Sequence, residues 1–398
     1  MAVVVGIDIA KEFHWVCAID ATSNAVLASR RVENDPASID ALISDLESWA
    51  DAHGPVRVGI DVIGGIAGLV TVMLNQAGVA VVHVPGLAVN RARQGTAGGE
   101  NKSDPRDAAV IADQVRVRQN LRSVDIGEEI DIEVRLLVGR RRDLVADQTR
   151  RVQRLRELLV AIHPGLERVV DPTQKGGLWL LSRYVTAAEI RRAGRTRLTD
   201  YLLRAGGLSR RHIDQLVQRA LTTAQAQRLV VPGERLSAEI IKELALELRQ
   251  GRQRLITLDE QIEVALQRHP DAALIRALPG MGATLTAEFI AEAGTLARFP
   301  SPDHLASAAG LAPVLRQSGK VHYLQRARAG NKALKRVFYQ SAFCSLSHPA
   351  SRAFYDRKRT EGKRHHQAVL ALARRRVNVL HAILRDRRPF EITLAKTA

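Results

Sequence analysis

The sequence has few cysteines and few aromatic residues. Only Cys17 and Cys344 are present among 398 residues, and Phe, Trp and Tyr together make up 4%. Two distant cysteines cannot build a disulfide framework or a cysteine-based zinc site, which suits a reducing cytosol. The first residues show no secretory signal pattern, and the sequence contains no P-loop, so ATP-driven chemistry is not expected.

Long charge-free runs are also scarce. The one candidate, residues 62–90, contains five glycines together with Asn75, Gln76, His83 and Pro85. A membrane-spanning helix would not carry so many glycines and polar residues. This segment is therefore predicted to form a short helix followed by a buried strand, and no membrane partner is expected.

Acidic residues are scarce towards the C terminus. The whole chain has 59 Lys and Arg against 42 Asp and Glu, whereas residues 310–398 hold 20 basic and 4 acidic side chains. Residues 1–100 show the opposite balance, with 6 basic and 11 acidic side chains. A strongly basic region indicates a polyanionic partner, and an acidic region suits metal-dependent chemistry.

The first part of the chain has the pattern of an α/β domain. Residues 3–8, 13–19 and 25–32 are short apolar runs that predict a three-strand meander. They are followed by a predicted helix (37–52), a strand (56–61), a second helix, a strand (79–84) and a helix that begins at Asp104. This order is typical of a ribonuclease-H-like (RNase H-like) domain, which we assign to residues 1–127.

Four acidic residues fall at strand ends and a helix start in this order. Asp8 and Asp61 end buried strands, and Asp104 and Asp107 share the first turn of a helix, with Asp104 as the expected N-cap. A strand-end turn or an ordinary helix start explains each residue alone, and that interpretation stays open. Together they predict a carboxylate cluster that binds Mg²⁺, as two ions that clamp the attacking and leaving oxygens of a phosphodiester.

The middle of the chain carries two apolar stripes at heptad spacing, over residues 138–162 and 241–265. They predict an antiparallel coiled coil within residues 128–268, with residues 166–236 as a helical insertion at its far tip. The insertion contains a capped basic helix at 208–213, for which a solvated surface and a nucleic-acid contact both remain open. Because projecting helix pairs often mediate self-association, a homo-oligomer is expected.

Residues 269–398 are predicted to form a basic, mainly helical domain. The Leu-Pro-Gly-Met-Gly sequence at 278–282 has the form of a helix-hairpin-helix turn that approaches a phosphate, although a plain turn looks identical. Ser318 lies between Arg316 and Lys320. It is either a turn serine or a nucleophile whose phosphate is held by the surrounding cations and whose activation comes from the carboxylate cluster.

More basic residues extend this region. Lys332, Lys335 and Arg336 follow, and the last predicted helix, residues 367–384, carries Arg374, Arg375 and Arg376 beside an apolar face. Because the whole region shares one sign of charge, these residues and Arg316 and Lys320 predict a surface that follows nucleic-acid phosphates. A solvated basic face is the plain alternative.

Several short motifs, in this order, resemble the DEDD transposases of bacterial insertion sequences, which are relatives of the Piv-type DNA invertases. The motifs lie at residues 6–11, 102–108, 279–282, 310–313 with 318–319, and 330–331. The resemblance covers nearly the full chain. It implies a RuvC-like N-terminal domain and a bacterial protein of the cytoplasm and nucleoid.

The resemblance also implies the roles of individual residues. Asp8, Asp61, Asp104 and Asp107 would form the metal-binding catalytic tetrad, and Ser318 would form a transient phosphoserine link to DNA. Members of this family look like recombinases guided by a structured bridge RNA, which pair donor and target DNA in a tetramer. One departure concerns Asp61, because the family usually has Glu there, and Glu100 is a possible substitute.

The sequence therefore predicts a transposase that cuts and rejoins DNA by metal-assisted transesterification through Ser318. Two alternatives within enzymes are a RuvC-like junction nuclease, in which water attacks, and a DNA invertase without an RNA guide. A third alternative, a non-catalytic nucleic-acid scaffold, gives no reason for four carboxylates to face a polyanion.

Overall fold

The computed structural model describes residues 3–95, 101–124, 127–319, 321–325 and 327–391. The chain divides into two compact units, Met1–Gly127 and Glu128–Ala398. The further boundary expected between residues 268 and 269 stays a prediction. Within the described ranges, no helix is both long enough and apolar enough to cross a membrane.

The first unit is one mixed sheet with helices on both faces. Its elements are β1 (Val3–Asp8), β2 (Phe13–Asp20), β3 (Val26–Glu33), α1 (Pro36–His53), β4 (Val56–Ile60), α2 (Gly68–Gln76), β5 (Ala80–His83), α3 (Gly86–Gln94), α4 (Asp104–Val117) and β6 (Arg122–Ser123). The strand order is β3-β2-β1-β4-β5-β6. β1 pairs antiparallel with β2 and parallel with β4. The predicted RNase H-like element order is confirmed, with α3 and β6 as additions that the sequence pattern did not predict.

Strand β1 is apolar from Val3 to Ile7 because both of its faces are buried. Val3, Val5 and Ile7 pack towards α1 and α2, whereas Val4 packs towards α4. Successive side chains of a strand point to opposite faces, so a continuous apolar run is expected for a strand covered on both sides. The central position of β1 places Asp8, its last residue, in the middle of one edge of the sheet.

Gly6 allows α4 to approach β1 at van der Waals distance. A Cβ atom at Gly6 would lie 2.0 Å from the carbonyl oxygen of Ala108 and 2.4 Å from the amide nitrogen of Ala112. Both of these atoms belong to the backbone of α4 and cannot rotate away. Gly6 therefore fixes how closely the first turns of α4, with Asp104 and Asp107, lie against the sheet.

We expect the Gly6→Ala substitution to destabilise the first unit by about 3 kcal/mol, because the backbone of α4 must move to admit a methyl group. Thermal unfolding followed by tryptophan fluorescence should show a melting temperature lower by about 10 °C. Gly68→Ala is the matched control, because a Cβ there meets nothing within 4 Å and the residue has helical φ and ψ of −57° and −53°. Equal melting of the two variants would contradict the close-approach role of Gly6.

The second unit is mainly helical. Its elements are α5 (Glu129–Ile162), α6 (Pro164–Val169), α7 (Lys175–Leu181), α8 (Ala187–Leu203), α9 (Arg210–Ala226), α10 (Glu234–Arg268), α11 (Ala272–Arg276), α12 (Ala283–Ala293), α13 (Pro302–Ala308), β7 (Val314–Ser318), β8 (Val321–Gln325), α14 (Lys332–Cys344), α15 (Pro349–Thr360) and α16 (His365–Asp386). The predicted insertion corresponds to α6 to α9, and the last predicted helix corresponds to α16.

Helices α5 and α10 form a long antiparallel pair. Ion pairs at successive levels join Glu133 to Arg268, Arg141 to Asp259 and Arg151 to Glu247. The half of the pair near Leu155 and Leu248 shares a core with α6 to α9, and the other half shares a core with the C-terminal helices. The pair thus connects two cores of one unit. Its supercoiling as a coiled coil stays a prediction.

Candidate active site

Two of the predicted acidic residues lie side by side at one edge of the sheet. Asp8 is the last residue of β1, and Asp61 directly follows β4. The two strands are parallel, and Ile7 is in register with Ile60, so both carboxylates are at the same ends of neighbouring strands. The backbone N–H of Ile9 also donates to Oδ1 of Asp61 at 3.5 Å. This edge is where side chains of parallel strands are expected to converge.

The other two acidic residues come from the first turn of α4, which packs on β1. Ser103, not Asp104, occupies the N-cap position, so the predicted cap is wrong by one residue. Asp104 already has a helical position and precedes a proline, which suits the first turn. The N–H of Asp107 donates to the carbonyl oxygen of Ser103 at 2.9 Å. Asp104 and Asp107 are therefore neighbours on one helix face, three residues apart.

The pKa values of Asp8 and Asp61 depend on the charges of the neighbouring carboxylates. Burial raises the pKa of Asp8 to about 7, and the charges of Asp61, Asp107 and Asp104 add to this, against a smaller opposing effect of Lys102. Burial and Asp107 also raise the pKa of Asp61, although the hydrogen bond from Ile9 and the nearby His83 lower it. Each carboxylate that ionises makes the next one harder to ionise.

Arg93 is a residue of this site that the sequence patterns did not reveal. Its Nη1 donates to Oδ1 and Oδ2 of Asp107 at 2.8 and 2.9 Å, and its Nη2 donates to Oδ1 of Asn90 at 2.8 Å. The Arg93 and Asp107 side chains are only 13% and 8% exposed. A buried carboxylate needs a cation or strong donors, and Arg93 supplies both. Only the unpredicted helix α3 places it there.

The donor set fits a hard divalent cation, because all four side chains offer carboxylate oxygens and a cation would favour the ionised form of Asp8. Among the described residues, however, no three or more His, Cys, Asp or Glu side chains are already arranged to hold a metal ion. Both oxygens of Asp107 are engaged by Arg93. A cation bound at Asp107 would have to share these oxygens with Arg93 or displace it. Glu100, the possible substitute for Asp61, lies outside the described residues.

The raised pKa of Asp8 predicts how stability depends on pH. The folded pKa of about 7 exceeds the ordinary value of 3.8. The folded chain therefore holds a proton that the unfolded chain has lost, and folding is increasingly opposed as pH rises from about 4 to about 7. With a chelator present, we expect Asp8→Asn to be more stable than the natural protein at pH 8 by about 1–2 kcal/mol, discounted for partial solvent screening.

Differential scanning fluorimetry at pH 8 and pH 5 measures this effect. The melting temperature of Asp8→Asn should exceed that of the natural protein by less at pH 5 than at pH 8. Mg²⁺ should raise the melting temperature of the natural protein at pH 8 more than that of the variant. A variant that melts below the natural protein at pH 8 without divalent ions would contradict the electrostatic assignment.

Ser318 belongs to the second unit, at the end of a two-stranded hairpin. β7 and β8 are antiparallel, and Ser318 pairs with Val321. Gly319, which follows Ser318, has a φ of +55°, a conformation that glycine adopts without strain. All of β7 is exposed, and in β8 Tyr323 and Leu324 are exposed by 55% and 68%. The serine is therefore accessible, and its role as nucleophile stays a prediction.

The predicted phosphate-binding cations have different environments. Arg316 is exposed on the hairpin and Lys332 is exposed at the start of α14, whereas Lys320 lies outside the described residues. The Nζ of Lys335 donates to the carbonyl oxygen of Gly310 at 2.9 Å. Arg336, which is half exposed, pairs with the buried Glu288 at 2.7 Å. Lys335 and Arg336 therefore make contacts that stabilise the second unit, in addition to any contact with phosphate.

Arg376 is not part of the basic surface that the last helix was expected to present. Its side chain lies in the apolar stripe of α16, is 4% exposed, and donates to Oγ of Ser341 and to the carbonyl oxygen of Pro279. Burial lowers the pKa of Arg376 to about 10. The adjacent turn is also packed, because a Cβ on Gly280 would lie 2.5 Å from the carbonyl oxygen of Ser341. Arg376 therefore fastens this turn to α14 and α16.

Two family models of transposases and several insertion-element proteins match this chain. A family model described as a transposase matches residues 5–164, and one described as transposase IS116/IS110/IS902 family matches residues 272–356. The chain is 42% identical over 385 residues to the insertion element IS900 uncharacterized 42 kDa protein of Mycobacterium paratuberculosis, covering 96% of this chain and 95% of the relative. It is 40% identical over 389 residues to the IS116 uncharacterized 44.8 kDa protein of Streptomyces clavuligerus, covering 97% and 95%.

Two further similarities each cover about a third of this chain. The pilin gene-inverting protein of Moraxella bovis is 31% identical over 142 residues, which is 34% of this chain and 44% of the relative. The solved structure of T. thermophilus RuvC in complex with a Holliday junction substrate is 18% identical, with a TM-score of 0.24, and covers 31% of this chain and 100% of that chain.

Proposed function

Because the chain belongs to the IS116/IS110/IS902 family of transposases, we propose that it cuts and rejoins DNA through a phosphoserine intermediate on Ser318, guided by a structured RNA. The observation that carries the metal-assisted part of this proposal is the pKa of Asp8, which burial, with the added charges of Asp61, Asp107 and Asp104, raises to about 7. A binding protein gains nothing from such a cluster facing a polyanion, so this edge favours catalysis over the scaffold alternative.

The proposed reaction exchanges one phosphodiester for another. Oγ of Ser318 attacks the phosphorus, a Ser–O–P bond forms, and the bond from phosphorus to the leaving sugar oxygen breaks. The serine hydroxyl gives up its proton, and the leaving oxygen gains one. A hydroxyl of the second DNA then attacks the phosphoserine, which restores the serine. Because the number of phosphoester bonds is conserved, no ATP is needed.

The two groups of residues have separate roles in this proposal. Asp8, Asp61, Asp104 and Asp107 would hold divalent cations, which supply Lewis-acid stabilisation of the attacking and leaving oxygens. Arg93 pairs with Asp107 and would orient its carboxylate until those cations bind. The exposed cations Arg316 and Lys332, with Lys320, would hold the phosphate backbone near Ser318.

Donor and target DNA are the proposed substrates, and a homo-oligomer of two to four copies would pair them. The RNA guide is proposed because the family resemblance implies it. The junction nuclease is the main competitor. It shares the carboxylates but releases hydrolysed DNA ends and forms no covalent protein–DNA link.

The test begins with the RNA. The protein is purified from cells that carry the flanking element DNA, the co-purifying RNA is sequenced, and the defined transcript is returned to the protein with donor and target plasmids and Mg²⁺. We expect joined donor–target junctions that depend on the transcript. Hydrolysed ends without junctions would support the nuclease instead, and junctions without any transcript would support an unguided recombinase.

A further inference from the structure

A large groove lies on the second unit, and its lining residues come from α7, from the turn that follows α8 and from α10. It has a volume of about 650 Å³ and runs between α7 and the outer face of α10. Its lining includes Lys175, Trp179, Leu246, Arg249, Arg252 and Ile256. Neither the carboxylate cluster nor Ser318 belongs to it, and the reaction proposed above does not use it.

In this groove the guanidinium of Arg249 lies over the ring of Trp179, and we call this pair the platform. The guanidinium carbon of Arg249 lies 3.9 Å from the centre of the Trp179 ring, and its Nη1 donates to Oγ of Ser182 at 3.3 Å. Ser182 is itself within hydrogen-bonding distance of the Tyr201 hydroxyl, at 3.1 Å. The Tyr201 ring also contacts Trp179, with 5.5 Å between ring centres. Three elements therefore hold the guanidinium plane in place before any ligand binds.

The charged side chains that line the groove are all positive. Its described lining contains the three cations Lys175, Arg249 and Arg252 and no carboxylate. Lys175 and Arg252 are exposed. Leu246 and Ile256 are each 46% exposed and flank the cations on α10. Gln250 and Gln253 add amide donors and acceptors on the same helix. A ligand that fits this groove has flat apolar groups, negative charges and polar edges.

We propose that this groove binds an unpaired stretch of RNA. Unpaired bases stack on aromatic rings and on arginine planes, and neighbouring cations neutralise the phosphates. The glutamine amides can reach base edges and the 2′-hydroxyl, which DNA lacks. The DNA that a transposase joins is a duplex whose bases are already stacked, whereas a folded RNA offers open loops. The inference deepens the proposed function, since it rests on an RNA partner and assigns that partner a site.

Tryptophan fluorescence tests the site directly. The chain has three tryptophans, so the full-length Trp15→Phe/Trp49→Phe protein keeps Trp179 as its only one. Titration with an unstructured 12-nucleotide RNA should quench this fluorescence in a saturable way, because a base stacks against the platform. Lys175→Glu/Arg252→Glu in the same background should weaken the affinity about tenfold or more and reduce the salt dependence of binding.

A matched control reverses two other charges. Arg228 and Arg235 are exposed and outside the groove, and the Arg235 side chain is 93% exposed. Arg228→Glu/Arg235→Glu changes the net charge by the same amount and should weaken RNA binding by less than about threefold. Equal weakening by the two double variants, or no quenching at saturating RNA, would overturn the proposal.

The same fluorescence assay distinguishes RNA from two other occupants of the groove, single-stranded DNA and a second copy of this chain. Binding of single-stranded DNA of the same sequence as tightly as the RNA would overturn the assignment to RNA. A change in Trp179 fluorescence with protein concentration alone would overturn it in favour of a second copy of this chain. The assay measures no DNA joining, so a failure of the phosphoserine mechanism leaves its result intact, and the reverse also holds.

Discussion

Replacement of Ser318 by alanine is expected to remove the covalent protein–DNA adduct and to lower strand joining by at least about 10³-fold. The methyl group cannot form the ester bond that conserves the energy of the broken phosphodiester. Ser318 is exposed at the end of β7 and pairs with Val321 in the hairpin, so alanine should leave the fold intact. Denaturing gels with end-labelled DNA measure the adduct, and sequencing of the products measures joining.

The control for this variant is another exposed serine of the same unit. Ser347 is exposed and donates to the carbonyl oxygen of Cys344 at 3.4 Å, and Ser347→Ala should keep both the adduct and the joined products. An adduct that persists in Ser318→Ala would rule out the serine assignment. Hydrolysed ends without an adduct in the natural protein would favour the junction nuclease and leave Ser318 as a turn residue.

Replacement of Asp61 by asparagine should lower joining by about 10²- to 10³-fold while the protein stays folded. The amide is nearly the same size and its oxygen can still accept from the N–H of Ile9, but it carries no charge for a cation. Burial already raises the pKa of Asp61, so loss of its charge should not destabilise the metal-free protein. Joining assays over a range of Mg²⁺ and Mn²⁺ concentrations, with melting temperatures as a folding check, measure the effect.

Two further variants test whether Asp61 or Glu100 is the second acidic residue of the proposed tetrad. Asp61→Glu introduces the residue that the family resemblance implies at this position, and it should retain activity with an altered preference between Mg²⁺ and Mn²⁺, because the carboxylate is longer by one methylene. Glu100→Gln should leave activity nearly unchanged. If Glu100→Gln abolished joining and Asp61→Asn did not, Glu100 would be the ligand and the assignment of Asp61 would be wrong.

The sheet and its acidic edge were predictable because the relevant patterns are local. Apolar runs of β-strand length, each ending on an acid, indicated β1 and β4, and a proline in the first turn indicated α4. The ends of neighbouring parallel strands lie at the same edge of a sheet. The neighbouring positions of Asp8 and Asp61 therefore followed from strand order, and the spacing of Asp104 and Asp107 followed from the helix period.

Charge partners were not predictable in the same way. Arg93 lies in a helix with no clear apolar period, and nothing in its neighbours indicates that it holds Asp107. Arg376 looked like a surface arginine between two others, yet helical period places it in the apolar stripe, where Ser341 and Pro279 accept its hydrogen bonds. Partners separated by 14 and 35 residues meet only when the helices are packed.

The sequence by itself determined the element order of the first unit, the antiparallel pairing of α5 with α10, and the set of acids at the sheet edge. These depend on residue periodicity and on strand and helix ends, which act over a few residues. Tertiary structure alone decided that Arg93 neutralises Asp107, that Arg376 is buried, and that Trp179 and Arg249 share a groove. Whether a charge is paired, buried or open to a ligand depends on distances of a few ångströms between elements, and only packing sets those distances.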